Sequence, residues 1–143
     1  MPGRLADLHF RHVSTTDLRW QEFRDVVCSG DFEHASEMLS CTPALLHMMN
    51  SIGETVLHFL AVENDLNGVA WLHARGADLD TKNTFGQPVL FEVASLGYKE
   101  LFRWFVENGV NTRATDAQGN DIVVHLLEYD CKEMAEWVRE QGA

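Results

Sequence analysis

One periodicity constrains this 143-residue chain more than any other feature: columns of residues recur every 33 positions. Gly53, Gly86 and Gly119 share one column, Trp71, Trp104 and Trp137 a second, and Gly76, Gly109 and Gly142 a third. Leu72, Phe105 and Val138 follow the tryptophans, Ala77, Val110 and Ala143 follow the last glycines, and Asp78 matches Asn111. Self-similarity at such a period means stacked supersecondary units, because one unit of this size is too small to bury its own apolar face.

Each unit opens with a glycine turn. In the first full unit the turn leads into Glu54-Thr55-Val56-Leu57-His58-Phe59-Leu60-Ala61, with Thr55 placed as a helix N-cap. A polar break follows, at Asn64-Asp65, Gly97-Tyr98 and Asp130-Cys131. A second apolar segment then shows helical spacing, through Val69, Trp71 and Leu72 in one unit and Leu101, Phe102 and Phe105 in the next. Gly76, Gly109 and Gly142 stand just past the last apolar residue, where a helix end takes a left-handed conformation. The unit therefore reads helix, turn, helix, extended finger. Upstream, Thr16-Asp17 caps a segment with apolar Leu18, Phe23, Val26 and Val27; Ser29-Gly30-Asp31 breaks it, and Phe32, Ala35, Met38 and Leu39 make a second helix. The connector from Ser40 to Asn50 contains Pro43 and reads as longer than a standard finger.

These residues resemble the ankyrin repeat. Gly53 to His58 with Ala61, and Arg75-Gly76-Ala77-Asp78-Leu79-Asp80, are similar to that family's Gly-x-Thr-Pro-Leu-His and Gly-Ala-Asp-hydrophobic-Asn patterns. The next unit keeps the pattern through Gly86-Gln87-Pro88-Val89-Leu90-Phe91, Ala94, Gly97 and Asn108-Gly109-Val110-Asn111, with Pro88 in a helix's first turn, where a missing N–H is no loss. The third is degenerate (Asn120-Asp121-Ile122-Val123-Val124) and has a polar second helix carrying Lys132, Glu133, Glu136, Arg139 and Glu140, as a capping repeat should. The resemblance implies an all-α ankyrin solenoid of stacked helix-turn-helix units with β-turn fingers, roughly four units with diverged caps. Its expected divisions are an unassigned arm at 1–15, a diverged capping pair at 16–49, repeats at 50–82 and 83–115, and a C-terminal capping repeat at 116–143. In the family, the histidine matched by His58 bonds locally and braces neighbouring units, so the resemblance gives His58 a structural role.

Charge narrows the function. With 22 acids against 11 bases the formal net charge is −11, and residues 1–25 are neutral, so the whole excess lies beyond them. Such a field repels phosphate backbones and anionic headgroups, which argues against a nucleic-acid or membrane-surface role. No apolar run approaches the roughly 20 residues of a membrane span, and Met1 to Asp17 has no apolar signal core, so the expected location is the cytoplasm. Cys28, Cys41 and Cys131 are widely spaced with no CxxC pair, which reads as free, buried thiols in a reducing compartment.

No phosphate-binding glycine loop, GxSxG or HExxH is present. His9 and His12 lack a ligand set, and Cys28 with His34 lacks an orienting group for a nucleophile. His73 and His125 read as partly buried packing groups, and the three tryptophans in one column as stacking residues. The reading is a non-catalytic chain without metal or cofactor.

Repeat stacks bind on the long surface built from finger tips and first helices. Placed on the ankyrin pattern, the residues pointing there are Ser51, Ile52, Glu54, Val62 and Glu63; Thr84, Phe85, Gln87, Ser95 and Leu96; and Ala117, Gln118, Asn120, Glu128 and Tyr129. Ile52, Phe85, Leu96 and Tyr129 are apolar anchors among the carboxylates of Glu54, Glu63 and Glu128, a mixture that suits a basic, partly apolar protein. The expected protein is a monomer when free. The chain also looks like the small bacterial ankyrin proteins, some of which are immunity proteins. That likeness implies neutralisation of a basic toxin such as a nuclease through an acidic concave face. The alternative is an intracellular scaffold or regulatory subunit docking onto a non-toxin enzyme.

Overall fold

The computed structural model describes residues 16–142, and among them eight α-helices form four consecutive pairs. The pairs are α1 (Leu18–Ser29) with α2 (Phe32–Cys41), α3 (Val56–Val62) with α4 (Leu66–Ala74), α5 (Val89–Ser95) with α6 (Lys99–Glu107), and α7 (Ile122–Glu128) with α8 (Lys132–Glu140). A 3-10 turn, Pro43–Leu46, occupies the connector after α2. Contrary to expectation this connector is no longer than the others: 42–55, 75–88 and 108–121 each hold 14 residues, because α2 runs on to Cys41. There is no strand among the described residues; isolated bridges Met49–Thr55 and Lys82–Pro88 close the bases of two fingers. The all-α solenoid expected from the 33-residue period is the architecture found.

Local chemistry starts the helices. Thr55 Oγ1 accepts the His58 amide and Asp121 Oδ1 the Val124 amide, while Asp17, Asp31 and Asp65 do the same for α1, α2 and α4. Each such cap is worth about 1 kcal/mol. Pro88 stands at the cap position of α5, one residue before the helix, with an extended ψ of 144°. The turn inside each full unit passes through a left-handed residue in one further column, Asn64, Gly97 and Asp130.

The first helices of the three full units have only seven residues each, too few to be stable alone. They survive by stacking. Val56, Leu57, Leu60 and Ala61 of α3 meet Val89, Leu90, Phe91, Val93 and Ala94 of α5, which in turn meet Ile122 and Leu126 of α7 in one continuous core. The second helices close it from outside with Val69 and Leu72, with Leu101, Phe102 and Phe105, and with Ala135 and Val138. At the N-terminal end α1 contributes Trp20, Phe23 and Val27. Leu18 is exposed, because the buried stripe of α1 runs through Trp20 in its place.

The tryptophan column sits at equivalent places along the stack. Trp71 stacks on Phe32, Trp104 meets His73 edge-on, and Trp137 meets Phe102 edge-on, at centroid distances of 5.3, 5.4 and 5.3 Å. Each ring thus packs on a ring of the preceding unit's second helix. A second repeated tie is polar: Tyr98 Oη donates to the Val62 carbonyl, and one period later Cys131 Sγ donates to the Ser95 carbonyl. The thiols depart from expectation. Cys131 is half-buried, and Cys28 and Cys41 are exposed. Cys28 follows Val27 by one residue, a rotation of about 100° away from the buried stripe. Among the described residues no helix is long and apolar enough to cross a membrane.

Candidate partner-binding surface

A bracket of side-chain hydrogen bonds folds each finger. Asn50 Oδ1 accepts the amides of Ile52 and Glu54, Asn83 Oδ1 those of Phe85 and Gln87, and Asp116 Oδ1 those of Gln118 and Asn120, all at 2.9–3.1 Å. Asn and Asp favour such turns because a short side chain reaches back to its own backbone. This column, 50, 83 and 116, has the same spacing of 33 and escaped the sequence reading. The bracket lifts one residue to each tip: Ile52, Phe85 and Gln118. Adjacent fingers are joined by the Thr84 amide and hydroxyl, which both donate to the Ile52 carbonyl at 3.0 Å.

Ile52 is 41% exposed and Phe85 65%, and Leu96 and Tyr129, at the ends of α5 and α7, are 48% and 57% exposed. Val62, Gln87, Ser95, Leu96 and Tyr129, all named from sequence, meet around one cleft of about 310 Å³. Glu92 and His125, which the sequence reading did not place on this face, complete the lining. Glu63 and Gln118 are exposed, while half-buried Asn120 donates Nδ2 to Glu128 Oε2 at 3.0 Å and holds that carboxylate within its own unit.

Glu54 does not stand on the open surface. It is only 6% exposed, because the bracket of Asn50 turns it inward, and its Oε1 accepts from Asn50 Nδ2 at 2.9 Å. Its Oε2 lies 3.9 Å from Nε2 of fully buried His58 and accepts no hydrogen bond among the described residues. From the next unit, Glu92 brings Oε2 to 3.1 Å from the same Nε2, while its Oε1 accepts from Asn83 Nδ2 at 2.8 Å. His58 thus braces two units, as its place in the repeat implies. A carboxylate only accepts, so Nε2 carries the proton. Nδ1 has no partner among the described residues. A proton there would be an orphaned buried donor costing about 1–3 kcal/mol, so the ring is the Nε2–H tautomer.

One unit further on, the same two columns exchange roles. Where Asn83 donates to Glu92, Asp116 Oδ2 accepts from Nδ1 of His125 at 2.7 Å, and both partners are buried. His125 is further enclosed by the rings of Phe91 and Tyr129. Burial pushes the Asp116 carboxyl up, but the His125 hydrogen bond and the amides of Asn120 and Gln118 outweigh it, so its pKa falls below the usual carboxylate value. A depressed folded pKa gives stability that is present above the unfolded value and lost as pH falls through the folded one. Asp116→Asn should therefore flatten the acid limb of a stability–pH curve below about pH 4. An acid limb unchanged from wild type in urea titrations would refute this.

A family model for ankyrin repeats, in three copies, matches residues 57–143, and the chain belongs to that family. Three relatives are similar to this chain over most of its length. The chain is 27% identical to human protein phosphatase 1 regulatory subunit 27 over 114 residues, 80% of this chain and 73% of that protein. It is 28% identical to the Arabidopsis thaliana E3 ubiquitin-protein ligase XBAT33 over 98 residues, and 28% identical to the rice probable E3 ubiquitin-protein ligase XBOS33 over 102. It covers 68% and 71% of itself in those matches but spans only 19% and 20% of the two plant proteins. The ankyrin family points to a protein-binding module. His9 and His12 lie outside the described residues.

Proposed function

We propose that this protein is a docking subunit that grips a basic, partly apolar partner protein through its finger tips and first helices. The observation that carries the reading is the row of Ile52, Phe85, Leu96 and Tyr129, which the fold leaves exposed although its core is complete without them. Glu63 and Glu128 supply charge beside them, and the −11 net charge favours encounter with a cation-rich surface. A face of three to four units matches a standard interface of about 800 Å² per side. Regulation of an enzyme is favoured over toxin neutralisation: a relative spanned over most of its length is a phosphatase regulatory subunit, whereas acidity alone supports the immunity reading. Exposed, unpaired Cys28 and Cys41 suit a reducing compartment such as the cytoplasm.

Phe85→Ala combined with Glu63→Lys should weaken partner binding at least about tenfold, since truncating an apolar hot spot costs more than 1 kcal/mol. Its melting temperature should stay close to wild type, because both side chains are exposed. The measurement is parallel affinity capture from the source cell on wild-type and variant protein, followed by titration of the captured partner at two salt concentrations. Equal affinity for the two proteins would discard this face. Capture of a secreted toxin would reverse the preference between the two regulatory readings.

A further inference from the structure

We propose that Glu54, His58 and Glu92 form a binding site for one divalent cation of the zinc class. One donor atom from each of these three side chains lies within 4.8 Å of the others. The donor set, one imidazole with two carboxylates, is of a type that zinc accepts.

Two independent observations point to a cation. The first is the aim of the carboxylates. Asn50 holds Oε1 of Glu54 and Asn83 holds Oε1 of Glu92, so both second oxygens face His58 Nε2. Outer amides that orient ligand carboxylates in this way are the usual support of a metal site. Glu54 Oε2, on a side chain more than nine-tenths buried, has no donor of its own. The second is charge. With His58 as the Nε2–H tautomer, two carboxylates share a largely enclosed site with no cationic side chain among the groups bonded to them. Like charges held this close, one buried and one half-buried, call for a counter-charge, and a divalent ion supplies it.

The geometry is within reach. Zinc holds nitrogen and carboxylate oxygen at about 2.0–2.2 Å, which places its donor atoms roughly 3.3 Å apart. Nε2 stands 3.1 Å from Glu92 Oε2 and 3.9 Å from Glu54 Oε2, so rotation of the two glutamates completes the fit. On binding, the proton leaves Nε2 for Nδ1 and the ring stays neutral. That leaves an unpartnered N–H, a penalty outweighed by neutralising both carboxylates. The ion would join two units, since Glu54 and His58 come from one and Glu92 from the next. Glu92 also lines the cleft, which gives the ion a route in from solvent. This inference does not depend on the docking role.

The test uses zinc chloride alone, titrated calorimetrically into full-length protein stripped with chelator. One saturable site per chain is expected. Glu92→Gln should weaken it by more than about tenfold, and Asn83→Ala, which frees the carboxylate, by about tenfold. Glu128→Gln removes a carboxylate from the same face and should leave affinity unchanged. Should Glu92→Gln prove unstable without metal, Glu54→Gln serves in its place. Cobalt bound to the wild-type protein should lack sulfur-to-metal charge-transfer bands. Absence of a saturable site, full affinity in the glutamate variants, or a sulfur band implicating Cys28 or Cys41 would each overturn the proposal.

Discussion

Gly53→Ala should lower the melting temperature by about 10 °C, roughly three times the effect of Gly119→Ala. Both glycines are left-handed, at φ of 78° and 80°. An L side chain at such a φ costs about 1–2 kcal/mol wherever it occurs. Only Gly53 carries a further cost. A Cβ there would stand 2.7 Å from Thr84 Cγ2 and 2.8 Å from the Thr84 backbone nitrogen. That nitrogen belongs to the amide that ties the next finger to the Ile52 carbonyl, so it cannot retreat without breaking the tie. Gly86 meets Ala117 in a similar way, at 2.9 Å, and Gly86→Val should also be strongly destabilising. Nothing lies within 4 Å at Gly119, because no described finger follows it. Strain plus collision gives about 3 kcal/mol at Gly53 against about 1 kcal/mol at Gly119, and a chain of this size loses about 3–4 °C per kcal/mol. Calorimetric melting of both variants reads the difference directly. Equal shifts would mean that the fingers do not pack on one another.

Asp116→Ala should destabilise the protein by about 2–4 kcal/mol, and Asp116→Asn by less than about 1 kcal/mol. The alanine variant loses the two amide acceptors that fold the third finger and leaves His125 buried without its partner. Asparagine restores the Oδ1 acceptor, and its Nδ2 donates to His125 Nδ1 once the imidazole carries its proton on Nε2. The chain already uses Asn50 and Asn83 at the equivalent positions. Urea unfolding at neutral pH distinguishes the two variants. If asparagine costs as much as alanine, the carboxylate's bond to His125 and not the bracket holds the finger, and the structural equivalence of the three columns fails.

The fold was open to reading because a solenoid writes its period into the chain. The glycine and tryptophan columns mark turns and stacking rings, and each unit repeats them in phase. The exposed tips Ile52 and Phe85 were legible for the same reason. What sequence did not show was the direction of polar side chains inside the period. Glu54 reads as a surface residue until the backbone bonds to Asn50 are known to turn it inward. Glu92 and His125 occupy the column that holds Phe59 in the first unit, so no repeated chemistry marked them. His58 and Glu92 are 34 residues apart, and only the stacking of α3 on α5 brings them together. Cys28 misled because a thiol is most often buried, while a single step along α1 is enough to carry it to the outside.

The ties between successive units are local: Tyr98 to Val62, Cys131 to Ser95, Thr84 to Ile52, and the Asn111 amide to Asp80. Each joins a layer only to the one beside it, and no described brace runs from end to end. A small change of angle at every junction therefore adds up along the array, much as it does in a leaf spring. The proposed docking face can thereby adjust its curvature to a target while every individual layer keeps its shape.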